Sequence, residues 1–369
     1  MTKKRWIVGL VVLVALIALV VWARQRIHFD FAEFRSQLAL ADWRRIAAGL
    51  ALIYAGYLLR SARWALLMRH NKRVGIFSLL GTQVMGFTAV ALIGRVADLV
   101  RPYMVARKTK DELSSQIAVY IVERLSDMGA VALLFSVAVL GISQADVAAA
   151  MNHSKHLAAM SQHAPGAAAF LFRYGGLLLT ILGALFLAGI RIGGEVIAVV
   201  FERAFGIVSK SLGHAIGHKI RTFRTGLDTI RSLSDFAWLL GLSLAMWVMI
   251  ASAYFETMRA FVASPQLATI SPSKCMLLMM VSGGASVVQL PVLGWFSQIG
   301  LVAAAITAFF AAAPEASTAC AAMLLVVTFL GIVPVGLIWA QIENVNLRKV
   351  TVESEHAGEQ IGGEAGALD

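Results

Sequence analysis

The chain has 369 residues, of which 59% are hydrophobic and 14% charged. A soluble globular domain carries about 25% charged residues, so a water-facing surface of the usual kind is excluded. The net charge of +11 is concentrated in short loops between apolar runs, as in cytoplasmic loops of membrane proteins, and does not point to nucleic acid.

Charge-free runs cover residues 6–23, 74–94, 128–145, 174–190, 236–255, 275–314 and 316–342. Most have the roughly 17–25 residues that a helix needs to cross a hydrocarbon core of about 30 Å. Backbone groups in lipid must pair within the protein, and nothing here alternates with period two. The fold class is therefore all-α, a polytopic integral membrane bundle.

In chain order, Lys3, Lys4 and Arg5 precede the first run in the manner of a signal peptide. The run is long, and Ala23-Arg24-Gln25-Arg26 is a poor cleavage site. Residues 1–43 are thus expected to be an uncleaved anchor helix with an outer segment. The second helix is uncharged over residues 46–59 and resumes through Trp64, Leu66, Leu67 and Met68. Arg60 and Arg63 share one of its faces. They either snorkel to the headgroups or face the protein interior, and snorkelling is the expectation.

Arg69, Lys72 and Arg73 precede the run 74–94, while Arg95, Arg101, Arg107, Lys108 and Lys110 follow it. Both ends want the cytoplasmic side, which a re-entrant hairpin satisfies. Residues 141–172 carry a single basic residue, Lys155, and belong outside; His153, His156 and His163 lie there with no cysteine and only Asp146 as a nearby carboxylate, too few for a metal site. Neither a metal nor a cofactor is expected. Residues 195–233 are expected to form a basic amphipathic helix, with Phe205, Val208, Leu212, Ile216 and Ile220 at helical spacing, that either lies along the inner leaflet or packs onto the membrane domain.

The run 275–314 is 40 residues long and broken by Pro291 and Gly294. It holds either two full spans or two half-helices. The tail, residues 342–369, begins with Arg348 and Lys349, continues with glutamates among glycines, and is expected to be disordered in the cytoplasm. Both termini are expected on that side. Residues 44–141 and 235–341 each read as helix, hairpin, helix, so residues 44–341 are expected to form one domain of two inverted-topology repeats. Gln289, Pro291 and Gln298 of the second hairpin are then expected to face the first.

Charges at membrane depth are costly and mark interiors or sites. Arg95, Asp98 and Arg101 recur every three residues, so two guanidiniums flank one carboxylate and leave positive charge for a phosphate. Glu123 and Asp127, with Arg124 between, open the next helix and share a face. They balance those arginines or relay protons; ordinary interfacial charge is the plainer reading of both groups.

These residues carry a family likeness. Arg63-Trp64, Arg95-x-x-Asp98-x-x-Arg101, Glu123-Arg124-x-x-Asp127 and Gln289-Leu290-Pro291 through Gly294 to Gln298 resemble the lysylphosphatidylglycerol synthase transmembrane-region family, over most of residues 40–340. The family often has Pro-x-Arg-x-Gly-Glu where this chain has Ile93, Ala97 and Asp98, and a glutamate near Gly300. Some members carry a cytosolic aminoacyl-transfer domain, which is not expected here. The resemblance implies a flippase-like, non-enzymatic protein that handles an anionic or phosphate-bearing lipid in the cytoplasmic membrane. The alternatives are an accessory subunit partnering a glycosyltransferase or lipid synthase, and a membrane-embedded transferase. No Asp-x-Asp, His-Glu-x-x-His or phosphate-binding glycine loop supports the last.

Overall fold

The structure, a computed structural model, describes residues 29–70, 72–141, 232–285 and 293–367, with isolated helical positions between 170 and 204. Every regular element among the described residues is helical. The expected anchor helix, the histidine-bearing outer segment and nearly all of the amphipathic segment lie outside them.

Helix α1 (Phe31–Ala39) is capped by Asp30, whose carboxylate accepts from the Ala32 and Glu33 amides. Asp42 does the same for the Arg44 amide at the head of α2 (Trp43–Met68). Short polar side chains at this position satisfy amides that have no partner within the helix. Arginine is a good helix former, so α2 runs through Arg60 and Arg63 without interruption.

Helix α3 (Ile76–Ile93) stops at Gly94, whose φ of 97° is open to glycine and strained for other residues. A 3-10 turn, Arg95–Leu99, leads into α4 (Val100–Thr109). The chain doubles back. A β-carbon at Gly86 of α3 would collide with the Arg101 side chain of α4, and the Lys72 ammonium before α3 meets the Thr109 carbonyl at the end of α4. The two ends of this hairpin are therefore together.

Helix α5 (Leu113–Leu140) begins about three turns before Glu123, which corrects the expectation that Glu123–Asp127 opens it. Both carboxylates consequently lie inside the helix and are buried. Helix α6 (Leu233–Arg259) starts with a reciprocal cap between Ser232 and Asp235. The run 275–314 resolves into α7 (Pro272–Ala285) and α8 (Leu293–Phe310), packed on each other. The expected last span is two helices, α9 (Pro314–Thr328) and α10 (Val333–Ile342), bent by 41° across a short 3-10 turn.

Helix α2 lies along α6, and these two make the most extensive pairing in the bundle. Helix α3 packs on α2 and α10, while α7 packs on α6 and α5. The tail differs from expectation. It forms α11 (Leu347–Ala367), which buries Val350, Thr351 and Ser354, and its Glu353 accepts from Tyr103 and Arg107 of α4 at 3.1 and 3.2 Å. One of the glutamates read as a mark of disorder, Glu353, thus finds a basic partner, Arg107, on the hairpin.

Candidate functional site

Five helices place polar side chains around one interior point. From α2, the Arg63 guanidinium donates through Nη1 to Asp127 Oδ1 at 2.6 Å and to Ser243 Oγ at 2.9 Å. Its Nη2 donates to Glu123 Oε1 at 2.5 Å. From α6, Trp247 Nε1 donates to the same Asp127 oxygen at 3.2 Å. Arg63 is 1% exposed, Arg101 0% and Glu123 1%. Charges this deep persist only when paired and hydrogen-bonded, and here each finds a partner on another helix.

Arg101 enters from the first turn of α4, in the space that Gly86 leaves. Its Nη1 donates to Glu123 Oε2 at 3.1 Å and to Gln83 Oε1 of α3 at 3.2 Å. Its Cζ lies 4.4 Å from the Phe87 ring centroid, 5.1 Å from that of Tyr120 and 5.6 Å from that of Trp64. Aromatic faces stabilise a guanidinium without consuming its N–H groups. Arg101 Nε and Nη2 are buried and make no hydrogen bond. They form one edge of the planar group, the edge whose parallel N–H bonds fit two oxygens of a phosphate or carboxylate.

Two further cations flank the core. Arg60 Nη1 lies 3.6 Å from Glu123 Oε1 and 3.9 Å from Asp127 Oδ2, with its Cζ 4.7 Å from the Phe87 centroid. Arg124 is 3.6 Å from Asp127 Oδ2, and its Cζ is 5.0 Å from the Tyr120 centroid. Four guanidiniums thus share two carboxylates, leaving a surplus of positive charge among these six side chains.

Among the residues expected at the site, Arg101, Glu123, Arg124 and Asp127 come together. Asp98 is half-buried on the 3-10 turn, within electrostatic reach of Arg124. Arg95 opens that turn. Gln289 and Pro291 lie outside the described residues. Gln298 is buried on α8, where its Nε2 donates to Ser282 Oγ at 3.4 Å, in a polar cluster distinct from the arginines. Sequence reasoning missed Gln83, Ser243 and Trp247, and placed Arg60 and Arg63 at the headgroups. The structure turns both arginines inward, because the carboxylates of α5 supply partners there. Two cations three residues apart on a long apolar helix were the available signal.

Helices of membrane length closed around an arginine–carboxylate interior define a multi-pass integral membrane protein; Ile76–Ile93 and Ser234–Arg259 are long and apolar enough to cross a bilayer. The chain belongs to the lysylphosphatidylglycerol synthase TM region family, whose model matches residues 6–338. No curated protein and no solved structure matches it.

Proposed function

We propose that this protein translocates an anionic, phosphate-bearing lipid across the cytoplasmic membrane and catalyses no covalent chemistry. The observation that carries this reading is the unspent Nε/Nη2 edge of Arg101, buried beside surplus positive charge. Glu123 and Gln83 hold the opposite side of that guanidinium, so the fork is oriented before any headgroup arrives. Preorganised donors bind with less ordering cost. A zwitterionic headgroup such as phosphocholine brings its own cation against the surplus positive charge, which makes the cluster favour anions.

The scaffold is read as two inverted-topology repeats: α2, the α3–α4 hairpin and α5, then α6, the α7–α8 hairpin and α9–α10. The packing supports this pairing. The first helices of the two halves lie together, and the first arm of each hairpin packs on the last helix of the other half, α3 on α10 and α7 on α5. Both termini face the cytoplasm in this topology, and reporter fusions at the two ends should agree.

The direct test uses liposomes holding the purified protein and a panel of acyl-labelled lipids. Anionic phospholipids should cross between leaflets faster than in protein-free liposomes, and phosphatidylcholine should not. No movement of any anionic lipid, with a transferase copurifying instead, would support an accessory subunit. Product formation in detergent would support an enzyme.

A further inference from the structure

Helix α6 carries polar side chains along one stripe. Ser243, Trp247 and Tyr254 are spaced by four and then seven residues, which brings them to one face of a helix. Ser243 and Trp247 touch Arg63 and Asp127 of the arginine cluster. About 10 Å further along by helical rise, the Tyr254 hydroxyl donates to Ser282 Oγ of α7 at 2.7 Å. Gln298 of α8 donates to the same oxygen. Tyr254, Ser282 and Gln298 are 5%, 3% and 6% exposed, and all three are uncharged.

This second cluster is not closed on itself. Gln298 Oε1 is buried and has no hydrogen-bond partner. Most buried polar groups in folded proteins are paired, so a group of this kind needs a reason. A cluster serving only to fasten α7 and α8 to α6 gains nothing from an unspent acceptor at its centre. That acceptor suits a hydroxyl, which donates to it.

We propose that Tyr254, Ser282 and Gln298 form a second, uncharged station for the lipid headgroup, in which Gln298 Oε1 accepts a hydrogen bond from a headgroup hydroxyl. The proposal rests on the translocase reading and deepens it. The substrate class becomes an anionic phospholipid whose headgroup bears a hydroxyl. Translocation needs binding that is favourable on arrival yet weak enough to leave. A phosphate passed between two sites of equal positive charge stays bound. A neutral station at the far end of the α6 stripe holds the headgroup by its hydroxyl while the phosphate leaves the arginines.

The test compares two acyl-labelled lipids of equal charge in proteoliposomes: phosphatidylglycerol, and phosphatidylmethanol, which lacks the hydroxyls. The readout is the ratio of their translocation rates in the unsubstituted protein, Gln298→Leu and Ser282→Ala, with unfolding temperatures measured on the same preparations. The expected ratio in the unsubstituted protein is roughly fivefold, the weight of one buried hydrogen bond. Both substitutions should bring it close to one. Ser282→Ala, which removes a single oxygen, guards against a folding failure of Gln298→Leu. A ratio near one in the unsubstituted protein overturns the station and leaves the translocase reading standing. A ratio that survives both substitutions also overturns the station. Movement of neither lipid by the unsubstituted protein overturns the translocase reading and the station together.

Discussion

Arg63 donates to Asp127 at 2.6 Å across 64 residues of chain, tying α2 to α5 in the interior of the bundle. Glu123 holds the other terminal nitrogen of the same guanidinium. One side chain thus fixes the spacing of two helices and pairs with both of the carboxylates that position Arg101 and Arg60.

Removing Arg63 should therefore damage the fold more than any other single change at the cluster. Arg63→Ala leaves two buried carboxylates short of their main partner, a loss of about 3–5 kcal/mol. Thermal unfolding in detergent should show a large drop. Arg63→Lys should rescue only part of it, because one ammonium does not present a planar fork to two carboxylates. An unfolding temperature equal to that of the unsubstituted protein would show that the pairing is dispensable.

Gly86 should behave as a steric counterpart of Arg101. Its missing β-carbon is what lets the Arg101 side chain lie against α3. Gly86→Ala should displace Arg101 at an overpacking cost of about 1–3 kcal/mol, and lipid movement should fall towards the level of Arg101→Ala while abundance stays within a few-fold. Normal transport by a stable Gly86→Ala protein would mean that Arg101 need not sit there.

Arg60→Ala separates the interior reading from the snorkelling one. A headgroup-facing arginine is dispensable, whereas the structure sets Arg60 on Glu123, Asp127 and the Phe87 ring. Impaired lipid movement is expected, with the exposed Arg44 as the control. Equal, mild effects at both positions would return Arg60 to the interface.

Much of the fold is legible in the sequence, because charge-free length and positive-inside counting act locally. The helical class follows from them. The position of the turn does not: the expected hairpin brought both ends of the run 74–94 to one side, whereas Ile76–Ile93 is one unbroken helix and the chain turns only at Gly94. The path of α2 was harder to read. Arg60 and Arg63 interrupt its apolar pattern, and their partners Glu123 and Asp127 are about sixty residues away, beyond any local rule. Ser243 and Trp247 are common in membrane helices and gain meaning only from contact with α2 and α5. The tail misled because composition counts its glutamates but not the Tyr103 and Arg107 that receive Glu353.

That last contact is itself testable. Glu353→Lys should free α11 from α4 and expose the tail to limited proteolysis. Exposed pairs contribute about 1 kcal/mol or less, so the effect should appear as faster cleavage of the tail with little change in global unfolding. Unchanged cleavage would mean that Val350, Thr351 and Ser354 hold the helix alone.

The central claim, that the arginine cluster carries an anionic headgroup across the membrane, is tested most directly with Arg101→Ala. Glu123 keeps Arg63 in this variant, so the bundle should still fold. The measurement is the rate at which acyl-labelled phosphatidylglycerol crosses between leaflets of proteoliposomes, with phosphatidylcholine in parallel. The account predicts movement of the anionic lipid alone, and a fall of roughly tenfold or more in Arg101→Ala, the weight of a charge-assisted hydrogen bond. Equal rates for the two lipids, or an Arg101→Ala protein as fast as the unsubstituted one, would contradict it.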